Sequence, residues 1–488
     1  MKKKYKVSVI VPVYNVRDYL EECLESVTGQ TLGFENIQLI LVNDGSPDNS
    51  WEICEKYRDA YPDNVLYLPQ ENSGVAVARN NGLSHAEGEL VTFLDGDDKW
   101  SSDSFSTAFA AYERNPEISV FSCRMVFFDG ESGEHQLNYK YTEDRIADIR
   151  EEYNCPQLSS SSVFIRGDIA RQHSFTPGIK YSEDFRYINE ILLDTCRMML
   201  LKDPVYWYRR RPTNDSAIQS STHDAAYYIP TCTDVYRYLF DLSVSRFGHV
   251  LRYLQFCVMY DLRWRLKIPL KETGLSKEDQ TVYTGLLQGL LQQIDDDIIL
   301  DQKRIALAIQ LFALDMKHGE DVSRNCAVDD SGVIRYGDRV IFDLSGRLVL
   351  WVEGVDVRGD VLAVRGHAAF PFLEDRFRLL YSVNGSVRDL PLTATNKNAK
   401  TYLHGVIRAD YDYMIEERID LSVENEFTFY VEFDGKRFVS GPKYVTSGPL
   451  DKKNGSLRSG SSLICRSKTG LTVSRYSVLK QAARLFGR

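Results

Sequence analysis

The hydrophobic pattern of residues 6–123 alternates between two periods. Val7–Val13 is a continuous apolar run, as in a buried strand, whereas the apolar residues from Leu20 to Val27 recur at helical spacing. The alternation continues with predicted strands at 37–42, 65–68 and 90–94 and predicted helices at 51–61 and 75–86. Strand and helix in strict alternation predict right-handed crossovers and a mainly parallel sheet, which is an α/β fold of Rossmann-like type.

Polar residues follow the predicted strands at the points where they end. The groups are Pro12-Val13-Tyr14-Asn15, Asn43-Asp44-Gly45-Ser46, Asn72-Ser73-Gly74 with Arg79 and Asn80, and Asp95-Gly96-Asp97-Asp98. Each of the first three could be only a turn or a helix cap, because these residue types favour both. Four such groups at successive strand ends instead predict a ligand pocket, since ligands of parallel sheets bind beyond the carboxyl ends of the strands.

The residue types of this pocket fit a nucleotide. The aspartates after residues 90–94 cannot be ionised inside a sheet without a cation or hydrogen-bond donors, so they are expected at its exit. Asp44 offers a hydrogen-bonding group for a base, and Arg79 offers a charge for phosphate. The carboxylate cluster offers a site for a divalent metal that holds a diphosphate.

Four motifs of this segment resemble the nucleotide-binding half of the family 2 glycosyltransferases, which have the GT-A fold. They are VSVIVPVYN at 7–15, NDGS at 43–46, NSGVAVARN at 72–80 and DGDD at 95–98. The resemblance covers about the first 220 residues. It is specific for the family but not for a particular sugar.

The resemblance implies a role for each polar residue of the pocket. Asp44 would hydrogen-bond uracil, Arg79 would lie near the base and diphosphate, and Asp95 would meet the ribose. Asp97 would bind Mn²⁺ or Mg²⁺, with Asp98 as a second metal candidate. The donor-binding residues would also include Pro12, Tyr14 and Asn72.

The acceptor half is expected within residues 124–200. Residues 159–162 read as a loop that enters a short strand at 163–165, and Glu183-Asp184 stands at the start of a predicted helix. Acidic residues at a helix start often only complement the helix dipole. This pair also resembles the family's ED pair, which implies that Asp184 is the general base and that Glu183 holds acceptor hydroxyls.

Three arginines follow an aromatic strand predicted at 204–208. Arg209, Arg210 and Arg211 could be a solvated charge run, or they could close over a diphosphate. Many family members carry a histidine near this point, where this chain has Arg210 or Arg211. Which arginine reaches the diphosphate is left open, and Ser216 is a further donor-binding candidate.

The remaining pattern predicts three regions after a GT-A domain at 1–223. Residues 224–330 show long helical periodicity and predict a helical linker domain. Residues 331–446 show short alternating strands separated by Asn-Gly and Asp-Gly turns, which predict a β-sandwich accessory domain. Such a sandwich would also allow a homo-oligomer.

The segment 447–488 is basic and begins with a Ser- and Gly-rich stretch, which predicts a flexible tail. Its end could be disordered, or it could form a short amphipathic helix on an anionic membrane surface. The apolar residues that would share one face of that helix are Tyr476, Leu479, Ala483 and Phe486.

Composition narrows the cellular context. A chain of 488 residues is long enough for about three domains, and 43% hydrophobic with 26% charged residues is typical of soluble globular proteins. A net charge of -10 argues against nucleic acid as a partner. Nine scattered cysteines without a CxxC pair give neither a disulfide framework nor a zinc site. We therefore expect a cytoplasmic protein that can lie on the inner face of the membrane.

The expected activity is a metal-dependent, inverting transfer of a sugar from a nucleotide, most simply UDP, to a hydroxyl of a surface glycan, capsule or wall polymer. One alternative is an inactive relative that serves as a polysaccharide-binding scaffold, although intact Asp97 and Asp184 weigh against it. The other is a nucleotidyl or polyol-phosphate transferase that uses the same site. The sugar, the acceptor and the linkage are left open.

Overall fold

The structure is a computed structural model. It describes residues 5–211, 221–344, 349–369, 376–402, 405–444, 456–459, 461–467 and 470–475. The chain divides into two compact units, the first comprising Met1–Arg265 with Leu270–Arg304 and the second Leu266–Pro269 with Ile305–Arg488. Within the described ranges, every helix is too short or too polar to cross a lipid bilayer.

The first unit is built on one ten-stranded mixed sheet. Its strands are β1 (Val7–Val13), β2 (Ile37–Asp44), β3 (Val65–Gln70), β4 (Leu90–Phe93), β5 (Lys99–Trp100), β6 (Val120–Asp129), β7 (Gly133–Glu134), β8 (Arg145–Asp148), β9 (Val163–Arg166) and β10 (Arg197–Arg210). The spatial order is β3-β2-β1-β4-β9-β6-β10-β5, with β7 on β6 and β8 on β10. The predicted parallel half is confirmed for β1 to β4, whereas β9 runs antiparallel to both β4 and β6.

Six helices pack on this sheet. They are α1 (Arg17–Thr28), α2 (Ser50–Ala60), α3 (Val75–Ser84), α4 (Ser104–Arg114), α5 (Gly167–Ala170) and α6 (Glu183–Thr195), with 3-10 turns at Phe34–Asn36 and Asn138–Lys140. In α1, the apolar residues from Leu20 to Val27 are buried, and the helix ends at Gly29 as predicted. All eight residues of β2 are buried, because helices cover both faces of a parallel sheet.

The helical segment after residue 220 belongs to the same compact unit as the sheet. Its helices are Ser221–His223, Ala225–Tyr227, Thr231–Arg237, Tyr238–Phe247, Arg252–Leu266, Leu270–Glu272, Lys277–Leu291 and Asp296–Leu300. The rings of Tyr236 and Phe185 lie 5.9 Å apart, which packs this segment against α6. The predicted boundary at residue 223 therefore does not separate compact units.

The second unit begins with the helices Leu307–His318 and Val322–Asn325 and continues entirely in strands. They are β11 (Cys326–Val328), β12 (Val333–Tyr336), β13 (Arg339–Asp343), β14 (Val349–Arg358), β15 (Val361–Ala369), β16 (Phe377–Val383), β17 (Ser386–Asp389), β18 (Leu392–Tyr402), β19 (Gly405–Arg418), β20 (Asn425–Phe433), β21 (Lys436–Ser440), β22 (Lys443–Tyr444), β23 (Ser456–Ser459), β24 (Ser462–Arg466) and β25 (Gly470–Arg475). A five-stranded and a seven-stranded sheet face each other, with the rings of Tyr413 and Phe429 6.2 Å apart. The predicted β-sandwich is confirmed.

Residues 456–459, 461–467 and 470–475 of the predicted flexible tail are part of this sandwich. Strand β25 pairs with β20 and β24, and β24 pairs with β23. Leu463, Leu471 and Val473 are buried in this part of the sheet. The prediction of flexibility was wrong for these strands, because their Ser and Gly residues stand within short strands, and the apolar residues of β24 and β25 are buried in the sheet. The segment 476–488, where an amphipathic helix is predicted, lies outside the described residues.

Candidate active site

The loops at the carboxyl ends of β1, β2 and β4 lie close to the start of α6. We call the loops at 12–15, 43–46, 72–74 and 95–98 the donor wall, and the segments 159–162 and 182–185 the acceptor wall. Hydrogen bonds join the two walls in two ways. Ser161 Oγ donates directly to Asp95 at 3.2 Å, and Arg79 donates to both Asp95 and Glu183. The motifs identified in the sequence therefore lie around one site.

Asp44 fixes the geometry of the donor wall. Its carboxylate accepts hydrogen bonds from Gln70 Nε2 at 2.7 Å and from the backbone N–H groups of Ser73 and Gly74, each at 2.9 Å. These bonds hold the loop that leads into α3. A carboxylate can accept about four hydrogen bonds, so one further donor such as a base N–H can still be accommodated.

Gly45 allows the loops of the donor wall to approach closely. Its φ is +66°, and a Cβ at this position would lie 2.8 Å from the backbone nitrogen of Asn72. On the neighbouring loop, the backbone N–H of Asn15 donates to Ser46 Oγ at 2.7 Å. Pro12 lies half-buried within β1, while Asn72 is exposed and Tyr14 is 48% exposed. Tyr14 and Asn72 thus line the rim, where a base could contact them.

Arg79 is a buried bridge between the two walls. Its Nη2 donates to Asp95 Oδ1 at 2.8 Å and its Nη1 to Glu183 Oε1 at 2.7 Å, and its side chain is only 5% exposed. The guanidinium lies 5.3 Å from the ring centroid of Phe175. Burial opposes the charge of Arg79, but the carboxylates of Asp95 and Glu183 raise its pKa above the ordinary value. The predicted proximity to a diphosphate is replaced in this structure by two carboxylate contacts.

Asp184 lies beside this bridge at the start of α6. One of its oxygens accepts a hydrogen bond from the backbone N–H of Phe185 at 2.8 Å. Burial raises the pKa of Asp184 to about 7, with a further rise from the charges of Glu183 and Asp95 and an opposing effect of Arg79. A carboxyl group with a pKa near the working pH suits a general base.

Asp97 is held by an arginine of the predicted triplet. Arg211 donates to Asp97 Oδ2 from Nη2 at 2.7 Å and from Nε at 3.0 Å. Burial and the charge of Asp95 raise the pKa of Asp97, while Arg211 opposes the rise. Among the three arginines, Arg211 is the one whose side chain contacts the carboxylate of Asp97. Which arginine reaches a diphosphate stays a prediction.

Arg209 lies beside Arg211, with their guanidinium carbons 4.8 Å and 4.9 Å from the ring centroid of Tyr19, whereas Arg210 lies elsewhere. Arg209 donates to the carbonyl oxygen of Asp97 at 2.8 Å, and its terminal nitrogens bind Asp129 and Glu22. Arg210 lies over the ring of Phe127, with 4.6 Å between the guanidinium carbon and the ring centroid. Side chains alternate along a strand, which explains why neighbouring arginines diverge. The remaining candidate, Ser216, lies outside the described residues.

Asp98 supports the fold of the site instead of opening into it. Its carboxylate is 2% exposed and accepts hydrogen bonds from the Tyr206 hydroxyl and from the backbone N–H of Arg209, both at 2.7 Å. Burial, with the charges of Asp97 and Asp95, raises the pKa of Asp98 well above its ordinary value. The geometry does not support the predicted metal role of Asp98, because both oxygens are already bound to β10.

The carboxylates of the donor wall fit a divalent metal ion that would be held together with the phosphates of a substrate. Among the described residues, no group of three or more His, Cys, Asp or Glu side chains forms a metal cage. Mg²⁺ needs no such cage, since it is usually held by one or two carboxylates together with substrate phosphates and water. Asp97 is 21% exposed, and the charge of Asp95 raises its pKa, so a cation here would relieve the repulsion between the two carboxylates.

The sheet order, the acidic loops after β2 and β4 and the acid pair at the start of α6 together define a GT-A nucleotide-binding domain. Comparison with known proteins agrees. The family model described as glycosyl transferase family 2 matches residues 8–172. A relative named minor teichoic acid biosynthesis protein GgaA, from Bacillus subtilis, is 31% identical over 309 residues, which are 60% of this chain and 68% of that protein. The chain belongs to glycosyl transferase family 2.

Three further comparisons extend beyond the residues that the family model matches. Minor teichoic acid biosynthesis protein GgaB of Bacillus subtilis is 37% identical over 322 residues, which are 66% of this chain but only 36% of that longer protein. The crystal structure of S. aureus TarS is similar with a TM-score of 0.55 at 16% identity, covering 97% of this chain and 86% of TarS. A structure of TarS residues 1–349 has been solved in complex with UDP-GlcNAc, and it is similar with a TM-score of 0.52 at 20% identity, covering 69% of this chain and 98% of that one. At these identities the likeness to TarS shows the fold.

Proposed function

We propose that this protein is a metal-dependent, inverting glycosyltransferase that moves a sugar from a UDP-linked donor to a hydroxyl of a cell-wall polymer. The observation that carries the proposal is the position of Asp184. A carboxyl group with a pKa of about 7 lies across the Arg79 bridge from the carboxylates of the donor wall. Such an arrangement supports a role for Asp184 as the proton acceptor opposite a bound nucleotide.

The relatives support the choice of substrates. GgaA and GgaB are named for minor teichoic acid biosynthesis, and TarS has been solved with UDP-GlcNAc. We infer from them a UDP-sugar donor and a teichoic-acid-like acceptor, which is a polymer of polyol units joined by phosphodiesters. Because this chain covers 36% of GgaB, the inference concerns the aligned part of that protein.

On the donor wall, the residues would bind the nucleotide and prepare departure of the diphosphate. Asp44 accepts from the base, and Asp95 lies at the height of the ribose. Asp97 would hold a Mn²⁺ or Mg²⁺ ion, which when bound neutralises charge that develops on the leaving diphosphate. Arg211 contacts Asp97 in this structure, so its guanidinium is near enough to move onto the diphosphate when the carboxylate binds the ion.

On the acceptor wall, Asp184 would accept the proton of the attacking hydroxyl. Attack from the face of the sugar opposite the diphosphate inverts the anomeric carbon, and a base on the acceptor wall fits that direction. Glu183 keeps one oxygen on Arg79, and its other oxygen can accept from a hydroxyl of the acceptor. Arg79 holds both walls at a fixed separation.

The test is a donor screen with purified protein. UDP-, GDP- and CDP-linked sugars are incubated with a wall-polymer acceptor, with and without Mn²⁺, and nucleotide release is measured together with sugar transfer. The proposal expects UDP release that depends on Mn²⁺ and on the acceptor. Release of a nucleoside monophosphate from a CDP-linked polyol would instead support the polyol-phosphate transferase, and release of pyrophosphate from a nucleoside triphosphate would support the nucleotidyl transferase. Polymer binding without any release would support the inactive scaffold.

We further propose that the protein works at the inner face of the membrane, with residues 476–488 contributing basic charge. Deletion of 476–488 should lower co-sedimentation with anionic vesicles and leave transfer to a soluble acceptor unchanged. Unchanged co-sedimentation would remove the membrane role. Self-association through the sandwich stays a prediction, which sedimentation of the full chain would test.

A further inference from the structure

A second concave surface lies in the first unit, apart from the residues assigned to donor and base. It is a cleft of about 550 Å³. We call it the basic cleft and define it by Arg124, His135, Tyr139, Tyr141, Lys202 and Arg304, which line it together with neutral residues and Glu134. None of the residues proposed above for the donor or the base lines this cleft.

The side chains that face the cleft carry an excess of positive charge. Arg124 forms an ion pair with Glu134, so these two charges cancel. Lys202 and Arg304 are exposed, and neither has a carboxylate within ion-pair distance among the residues that the structure describes. The wall therefore presents two uncompensated cations, although the whole chain carries a net charge of -10.

Further positive charge lies behind the wall. Arg263 is 2% exposed and stacks on Tyr260, with 3.6 Å between the guanidinium carbon and the ring centroid. Its Nε and Nη1 have no hydrogen-bond partner within the described part of the chain. Burial, together with the charges of Lys140, Arg263 and Arg210, lowers the pKa of His135 to about 4. A buried, incompletely paired cation is costly, and an anion in the adjacent cleft would offset that cost.

The basic cleft is connected to the acceptor wall by hydrogen bonds. The hydroxyls of Tyr141 and Ser122 share a hydrogen bond of 2.6 Å, and Ser122 donates to Gln157 Oε1 at 2.5 Å. Four residues further along, Ser161 donates to Asp95. Gln157 also donates from Nε2 to the carbonyl oxygen of Ser159 at 2.7 Å, so a chain of hydrogen bonds links the cleft residue Tyr141 to the acceptor wall.

We propose that the basic cleft binds phosphate groups of the acceptor polymer next to the unit that receives the sugar. The proposal deepens the proposed function and rests on it. Lys202 and Arg304 would pair with successive phosphodiesters, while the 43% exposed ring of Tyr139 would pack against the carbon backbone of a polyol. A neutral glycan would leave the cations unused. The site would thus select polymers with charged backbones and hold them in register with Asp184.

The experiment measures binding of the full chain to an oligo(glycerol phosphate) of defined length and, separately, to a neutral glucan of equal length. The variant carries Lys202→Glu with Arg304→Glu, and Lys271→Glu, an exposed lysine of the same unit, is the matched control. We expect the double variant to bind the anionic oligomer at least about tenfold more weakly and with a smaller salt dependence, since two cation–phosphate contacts are lost. The control and the glucan titration should be unchanged.

Three results would overturn the proposal. The first is wild-type affinity of the double variant for the anionic oligomer. The second is an equal loss with the glucan, which would indicate a structural defect. The third is equally strong competition by a single-stranded DNA oligomer of the same charge, which would indicate general polyanion binding.

Two further measurements separate this proposal from the proposed function. Binding of UDP with Mn²⁺ should be the same in the variant and the wild type. If the basic cleft bound the donor diphosphate instead, the variant would lose UDP binding. Transfer at saturating acceptor should keep its kcat while KM for the anionic acceptor rises. A wild-type protein that transfers no sugar but binds the oligomer through these cations would refute the transferase and leave the ligand assignment intact.

Discussion

The carboxylates on the two walls of the candidate active site differ in the hydrogen bonds that they accept from the protein. On the donor wall, Asp44 and Asp98 have both oxygens occupied by donors from the protein. On the acceptor wall, Asp184 has one backbone donor, and burial raises its pKa to about 7. Carboxylates with protein donors on both oxygens hold loops in place, whereas a carboxylate with a single donor keeps an oxygen available for a substrate proton.

Arg79 contacts carboxylates of both walls. Its guanidinium pairs with Asp95 of the donor wall and with Glu183 of the acceptor wall. Asp184, next in sequence to Glu183, is left without a direct cation partner among the described residues. Burial and the charge of Glu183 raise its pKa, while the charge of Arg79 opposes that rise, and variants of either wall can test these effects.

Removing the bridge should have the largest effect. Arg79→Met would leave Asp95 and Glu183 facing each other without a cation, and breaking a buried ion pair costs about 3–5 kcal/mol. We expect the free energy of unfolding in urea to fall by about that amount, with transfer lost in parallel. Arg58→Met removes an arginine that is 41% exposed and should change stability by less than about 0.5 kcal/mol. Equal stability of the two variants would contradict the bridging role.

Loss of the general base alone should have the second-largest effect. Asp184→Asn keeps an oxygen for the backbone N–H of Phe185 but cannot accept a proton. Transfer should fall by about 10²- to 10⁴-fold, the usual contribution of a positioned general base, while UDP binding with Mn²⁺ stays at the wild-type level. Near-normal transfer would mean that another residue takes the proton.

On the donor wall, neighbouring aspartates should behave differently. Asp97→Ala should abolish the Mn²⁺-dependent part of UDP binding, which calorimetry with and without the ion would measure. Asp98→Asn should keep that part, and its main effect should be a loss of about 1–2 kcal/mol in stability, because one of its two donors loses its acceptor. If both variants lost Mn²⁺-dependent binding, Asp98 would be a metal ligand after all.

The sequence predicted the parts of this site that depend on local pattern. The two hydrophobic periods located β1 to β4 and their helices, and the polar strand ends located Asp44, Asp95 and Asp97. A parallel sheet with helices between its strands forces those ends onto one edge, so the pattern implies their proximity. The start of α6 at Glu183 was likewise predicted, since its apolar residues recur at helical spacing.

Contacts between distant residues could not be predicted in the same way. Arg79 meets carboxylates 16 and 104 positions away, and Ser161 meets Asp95 across 66 positions. Their pairing depends on β9, which enters the sheet antiparallel between β4 and β6. Short apolar runs such as β9 and β23 to β25 do not reveal which strand they pair with. The pairing of Arg211 with the carboxylate of Asp97 depends in the same way on side-chain packing.

The pH dependence of sugar transfer is the most direct test of Asp184 as the general base. A base whose pKa is raised to about 7 is deprotonated above that pH and protonated below it. In the free enzyme, kcat/KM should therefore be constant above about pH 8 and fall about tenfold per pH unit below about pH 6, measured with Mn²⁺ saturating at every pH. Asp184→Asn should lack this acid limb in its residual activity. A wild-type profile that stays flat between pH 5 and 8 would contradict the assignment of Asp184 as the base.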